Sequence, residues 1–200
     1  MKTDALLDET PKLDVPGAGL PWPELLAARV IFHWGRSSAT KESAQALFKA
    51  EQEAITQLAR GCGGGKGKRR VLIKRLRGME DSSRHWSVYM TLDHLRIVNF
   101  ACMEGIRALS RGQVPARAAS TAAVKPSPEA GEEILGQFEQ GCELLLKSVE
   151  GIANLKTSVR YAHPWFGPLD AAGWHFMAGF HMRLHRKQVE AILKRVGLSD

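Results

Sequence analysis

Residues 167–198 read GPLDAAGWHFMAGFHMRLHRKQVEAILKRVGL, and this stretch predicts a long helix. It contains His181 and His185, which lie four positions apart and therefore only about 40° apart on one helix face. The same face carries mainly apolar residues, namely Trp174, Met177, Ala178, Gln188 and Ile192. The pair is thus predicted to point into a helical bundle, where a buried imidazole needs either a hydrogen-bond partner or a metal ion.

Length and composition predict an ordinary globular protein. Two hundred residues with 44% hydrophobic and 24% charged side chains suit one domain with a sizeable core. The three cysteines are forty positions apart and form no CxxC pair, which favours a reducing cytoplasm over a disulfide framework. The chain shows no signal-peptide pattern and no run of eighteen apolar residues, so we expect a cytoplasmic protein without a membrane partner.

The N-terminal residues 1–21 mix Asp, Pro and Gly without periodicity and predict an extended arm, followed by one domain over residues 22–200. Pro23 is expected to open a helix, and apolar residues then recur at helical spacing as far as Gly61. An interruption near residues 35–38 leaves open whether this region is one broken helix or two short ones.

A glycine-rich, basic segment follows at residues 61–77, with seven Lys or Arg side chains between Lys66 and Arg77. It does not match the phosphate-binding pattern GxxxxGK[ST], since no Ser or Thr follows its Gly-Lys pair. A solvated connector with a short apolar anchor is the favoured interpretation. An anion or nucleic-acid site, in which Lys68, Arg69 and Arg70 would make the contacts, is the alternative.

Two more helices are predicted before the last one. One is capped at Ser82 or Ser83 and carries His94 on its apolar face; the other opens at 127–129 and runs to about Asn154. Asp170 is expected to cap the final helix. Four long amphipathic helices and almost no strand pattern predict an all-α four-helix bundle, and the long connections allow an up-up-down-down arrangement.

Three inward histidines on two helices point to a metal site. A pair at i and i+4 can hold one ion, but Met182 occupies the position where a zinc protease has glutamate, which excludes that chemistry. Burying three neutral imidazoles is costly unless each is satisfied, and a shared divalent cation would satisfy all of them. Two further residues are candidates for contacts with the metal ligands or with substrate. They are His163, in the loop before the last helix, and Gln188.

The segments WSVYMTLDHL, HPWFGPLDAAGW and FHMRLHRKQ, in this order, resemble the DinB-like (YfiT-type) superfamily of bacterial four-helix-bundle metalloproteins. The resemblance implies an up-up-down-down bundle, a metal triad of His94, His181 and His185, zinc or nickel as the ion, and frequent dimerisation. Some members are similar to transferases that use a low-molecular-weight thiol such as bacillithiol or mycothiol. The basic segment and the N-terminal arm are departures from the minimal bundle.

Three hypotheses follow. In the first, a cytoplasmic metal-dependent enzyme uses the triad to activate a thiol cosubstrate or water toward a small electrophilic substrate. In the second, the bundle binds metal without catalysis and serves in a stress response or as an interaction module. In the third, residues 66–77 bind a polyanion or nucleic acid and the histidines are structural. A small-molecule substrate and a homodimer are the expected partners, and nucleic acid is not favoured.

Overall fold

The computed structural model describes residues 11–63 and 65–197, so residues 1–10 of the predicted arm and the last three residues lie outside the described part. Five helices are present among the described residues: α1 (Trp22–Ser38), α2 (Lys41–Arg60), α3 (Val88–Ser110), α4 (Glu133–Glu150) and α5 (Ala171–Val196). Two short antiparallel ribbons pair β1 (Val71–Leu72) with β2 (His85–Trp86), and β3 (Tyr161–His163) with β4 (Gly167–Leu169). None of the described helices is both long and apolar enough to cross a membrane. The predicted all-α four-helix bundle is confirmed, with α2 to α5 as its helices.

Helices α2 and α5 run in the same direction. The Leu47 side chain packs on Gly179, and one turn further along both helices Glu51 accepts a hydrogen bond from Arg183 at 2.9 Å. Contacts that advance together along two helices mean that the helices are parallel. The first and last helices of the bundle are therefore a parallel, adjacent pair.

Helices α3 and α4 run the opposite way. His94 lies beside His185 and Asn99 beside Met182, so α3 is antiparallel to α5. Helix α4 is antiparallel to α2, as two pairs show: Gln45 with Glu150 and Arg60 with Glu139. The order along the chain is up-down-down-up, which corrects the expected up-up-down-down. The reason is that residues 111–132 form the crossover and return along the bundle to the start of α3, whereas the longer connection of residues 61–87 joins two antiparallel helices.

Capping residues explain where the helices begin. Thr40 and Ser43 form a reciprocal capping box at α2, so α1 and α2 are two separate helices. Asp170 caps α5 through the backbone N–H of Gly173, as predicted. The expected cap at Ser82 or Ser83 is wrong, because these residues form a single 3₁₀ turn and Ser87 caps α3 instead. Helix α4 is also shorter than predicted at both ends, since residues 127–132 form turns.

The glycine-rich segment is more tightly packed than a solvated connector. Gly67 is buried against the ring of Tyr89, and β1 of this segment pairs with β2 just before α3. Residues of the arm also reach this region, where the backbone N–H groups of Asp14 and Gly17 donate to Asp81 and Glu80. The segment thus covers the end of the bundle from which α3 starts.

Candidate metal centre

Three imidazoles meet between α3 and α5. The Nε2 atom of His181 lies 3.2 Å from Nε2 of His94 and 3.0 Å from Nε2 of His185. His94 and His185 are 6% and 4% exposed, whereas His181 is partly exposed. The structure therefore brings together the three histidines that the sequence singled out, and leaves one side of the cluster accessible.

Hydrogen bonds on the far ring nitrogens fix the tautomers of two of these histidines. Nδ1 of His94 lies 2.6 Å from the carbonyl oxygen of Val124, which can only accept. Nδ1 of His185 lies 2.6 Å from Oε1 of Gln188, whose amide nitrogen donates to the carbonyl of Ser83 at 2.7 Å. In the neutral rings both protons are therefore on Nδ1, and both Nε2 atoms present lone pairs to the cluster.

Burial keeps the cluster uncharged. It lowers the pKa of His94 to about 4, and it holds the pKa of His181 and of His185 well below the usual value, with a further lowering from the neighbouring imidazoles. Neutral imidazole is the form that binds a metal ion.

The cluster fits a divalent cation. Two Nε2 lone pairs face His181, whose single Nε2 can donate a proton to only one of them, so the three rings cannot satisfy one another. The Nδ1 atom of His181 is also buried without a protein partner. Two nitrogens bound to one zinc ion lie roughly 3.3 Å apart in tetrahedral geometry, close to the separations of 3.0 and 3.2 Å. The three histidines can accordingly hold one metal ion.

Trp86 forms an apolar wall of the site. Its ring stacks on His185 with the centroids 6.2 Å apart and lies 5.1 Å from the ring of His94. Lys125 lies over the Trp86 ring at 5.6 Å and pairs with Glu80 at 2.8 Å. The charged pair thus sits behind the indole and anchors the crossover chain that carries Val124.

His163 is the last residue of β3, in the ribbon that precedes α5, and lies near His181. Its Nδ1 accepts from the backbone N–H groups of Trp165 and Phe166, at 3.1 and 3.4 Å, and its ring stacks on Phe166. Burial lowers the pKa of His163 to about 4, so its one ring proton is on Nε2. It is close enough to His181 to contribute to the lowered pKa of that residue.

The other predicted site residues fall into two groups. Gln188 is buried and contacts His185, as the helix pattern suggested. Lys68, Arg69 and Arg70 are exposed, and the guanidinium of Arg70 donates to the carbonyl of His85. Their contact with an anion stays a prediction. Sequence analysis did not predict the role of Val124, because its contact with His94 is made by the backbone carbonyl, which every residue type has.

Fold and site together define a four-helix bundle with a three-histidine centre. The sequence model of the DinB superfamily matches residues 3–189, and the chain belongs to this superfamily. Among solved structures it is similar to TT2238, "a four-helix bundle protein", with 21% identity and a TM-score of 0.56 over 76% of this chain and 99% of that one. That likeness shows the fold. No curated protein matches the chain.

Proposed function

We propose that this protein is a metal-dependent enzyme in which His94, His181 and His185 hold a divalent ion, and that it activates a thiol cosubstrate or water toward a small electrophilic substrate. The observation that carries the proposal is the convergence of the three Nε2 atoms: those of His94 and His185 lie 3.2 and 3.0 Å from that of His181, and both have their lone pairs fixed toward the centre. Imidazole donors without a carboxylate suit zinc or nickel among the common divalent ions.

Three protein ligands leave coordination positions open, which is the arrangement of catalytic rather than structural zinc sites. An ion bound there supplies Lewis acidity and lowers the pKa of a coordinated water or thiol toward neutrality. The partly exposed His181 marks the accessible side of the centre, where a small molecule can approach.

His163 is the candidate for positioning the substrate. Two backbone N–H groups occupy its Nδ1, so its Nε2–H is left as a donor with a fixed tautomer. A neutral donor of this kind can bind an oxygen on which negative charge develops during attack by the nucleophile. Stacking on Phe166 keeps the ring in place without need of a carboxylate partner.

The nucleophilic thiol belongs to a cosubstrate rather than to a cysteine of the chain. All three cysteines are buried, and burial raises the pKa of both Cys102 and Cys142 to about 12. Thiols with such values are protonated at neutral pH and poor nucleophiles. This chemistry favours a low-molecular-weight thiol or water as the attacking group.

Metal analysis of the purified protein tests the site. We expect about one equivalent of zinc or nickel in the wild-type chain and in the control H33A, whose imidazole lies on α1, and almost none in H94A/H181A/H185A. A conjugation assay then separates an enzyme from a binder: the loaded protein, given bacillithiol or mycothiol and 1-chloro-2,4-dinitrobenzene, should form thioether faster than the triple variant. Equal metal content in all three proteins would rule out the proposal.

A further inference from the structure

Helix α1 lies outside the four-helix bundle, and one of its faces contacts a single short segment of the chain. The residues on this face are Arg29, Phe32, His33 and Arg36. Their spacing of i, i+3, i+4 and i+7 places them in one row along the helix. Each of the four contacts a residue of the segment 165–170, which joins β3 to α5. This face of α1 therefore holds the segment that follows His163.

Two side chains of α1 donate hydrogen bonds to successive carbonyl groups of this segment. Nε of Arg29 donates to the carbonyl of Trp165 at 2.6 Å, and Nε2 of His33 lies 3.2 Å from the carbonyl oxygen of Phe166. Since a carbonyl oxygen can only accept, Nε2 of His33 carries the proton of this bond. Between them, the ring of Phe32 stacks on that of Phe166 with the centroids 4.1 Å apart. Polar and apolar contacts thus fix the same two residues.

The peptide group between Trp165 and Phe166 carries a hydrogen bond at each end. Its carbonyl accepts from the guanidinium of Arg29, and its N–H donates to Nδ1 of His163 at 3.4 Å. A charged donor makes a strong bond to the carbonyl and polarises the peptide group, which strengthens the N–H at the other end as a donor. The charge of Arg29 thereby favours the tautomer of His163 in which Nδ1 accepts and Nε2 carries the proton.

We infer that Arg29 is a positioning residue, which acts on the substrate through His163. The inference rests on the proposed function, in which Nε2–H of His163 binds the substrate oxygen that becomes negatively charged during attack. Arg29 itself is exposed and bonds to the backbone of Trp165, so its effect on the reaction passes through the peptide group. Helix α1 supplies none of the three histidines of the metal centre, but it determines the donor that faces the substrate.

The tautomer of His163 is measured by two-bond ¹H–¹⁵N correlation spectra of the full chain with zinc, a diamagnetic ion. The signals of His163 are those absent from H163F. The ratio of the Nε2–H to the Nδ1–H tautomer should fall about 10-fold in R29M, because a bond to a charged group is lost. R29Q should keep the wild-type tautomer, since Gln places an amide N–H as many bonds from Cα as Nε of Arg. The control is R107M, which removes an exposed guanidinium on α3.

Kinetics of the zinc-loaded proteins with bacillithiol and 1-chloro-2,4-dinitrobenzene test the effect on the reaction. As the C–S bond forms, and before chloride leaves, negative charge moves onto the nitro oxygens of this substrate. R29M should lower kcat about 10-fold with KM unchanged, as expected for a contact made in the transition state. R29M/H163F should be no slower than H163F, because Arg29 acts through His163. R29Q and R107M should stay within about threefold of the wild-type kcat.

The two measurements separate this inference from the proposed function. An unchanged tautomer in R29M, or a loss in R29M/H163F equal to the product of the single losses, would overturn the role of Arg29. A wild-type chain that forms no thioether would overturn the proposed function, and the tautomer ratio in R29M then decides alone whether Arg29 positions His163. Circular dichroism should show that every variant keeps the wild-type helix content.

Discussion

Gln188 holds His185 in place: its amide oxygen accepts from Nδ1 at 2.6 Å while its amide nitrogen donates to the carbonyl of Ser83 at 2.7 Å. The two bonds fix the amide orientation, and the amide in turn fixes the imidazole tautomer. Since Gln188 is fully buried, water cannot replace it. One polar side chain thus links the centre to the segment that precedes α3.

Replacing Gln188 by leucine should weaken metal binding. The variant loses the acceptor that directs the lone pair of His185 to the centre, and partners of this kind typically contribute 10- to 100-fold in metal affinity. Competition titration with a zinc chelator measures the change. Q137L makes the same replacement at an exposed position of α4 and should bind as the wild-type chain does; an unchanged affinity in Q188L would contradict the assigned contact.

Bound metal should stabilise the fold. At zinc concentrations near 100 times the dissociation constant, the free energy of unfolding should rise by about 3 kcal/mol, because only the folded chain assembles the three ligands. For a chain of this size that corresponds to a rise in Tm of about 5 to 10 °C, measured by calorimetry with and without chelator. H94A/H181A/H185A should show no shift, and a similar shift in that variant would place the binding elsewhere.

His175 should make the protein less stable in acid. It is 1% exposed, and burial, with a smaller effect of Lys41, lowers its pKa to about 4. Its pKa in the unfolded chain is about 6.5, so below that pH the unfolded state binds a proton that the folded state does not. The contribution of His175 to the free energy of unfolding is therefore constant above about pH 6.5 and falls between about pH 6.5 and 4.

The variant H175L isolates this contribution. Between pH 7 and 4.5, the loss in the free energy of unfolding should be about 2 kcal/mol smaller in H175L than in the wild-type chain, both measured by urea unfolding with chelator present. An identical loss in the two proteins would show that His175 does not titrate as described.

The three cysteine thiols should be unreactive in the folded protein. Burial raises the pKa of Cys62 as well as that of Cys102 and Cys142, so few thiolates form at neutral pH. Reaction with 5,5′-dithiobis(2-nitrobenzoate) at pH 7.5 should release no thiolate within minutes from the native chain and three equivalents after denaturation. A rapid first equivalent would reveal an accessible thiol and weaken the case for an external one.

Gly67 should not tolerate a side chain. A Cβ atom at this position would overlap the ring of Tyr89, which is itself buried. Overpacking of this kind typically costs about 1 to 3 kcal/mol. Urea unfolding of G67A measures it, with G63A as the control because nothing lies within 4 Å of a Cβ there. Equal stability of the two variants would restore the interpretation of residues 61–77 as a loose connector.

Helical periodicity predicted the bundle and the inward direction of His94, His181 and His185 because it reports which face of a helix is apolar. It did not predict where α3 begins, since Ser83 and Ser87 are equally good capping residues and only pairing of β2 with β1 decides between them. The order of helix directions was missed for a related reason. Connection length alone does not reveal which loop returns along the bundle.

The carbonyl of Val124 orients His94, and every amino acid has a carbonyl. Position 124 can therefore drift during evolution while the geometry of the centre is preserved, provided that the path of the backbone is kept. Relatives with different residues at position 124 would keep the same hydrogen bond to His94, and a search for invariant residues would not identify it.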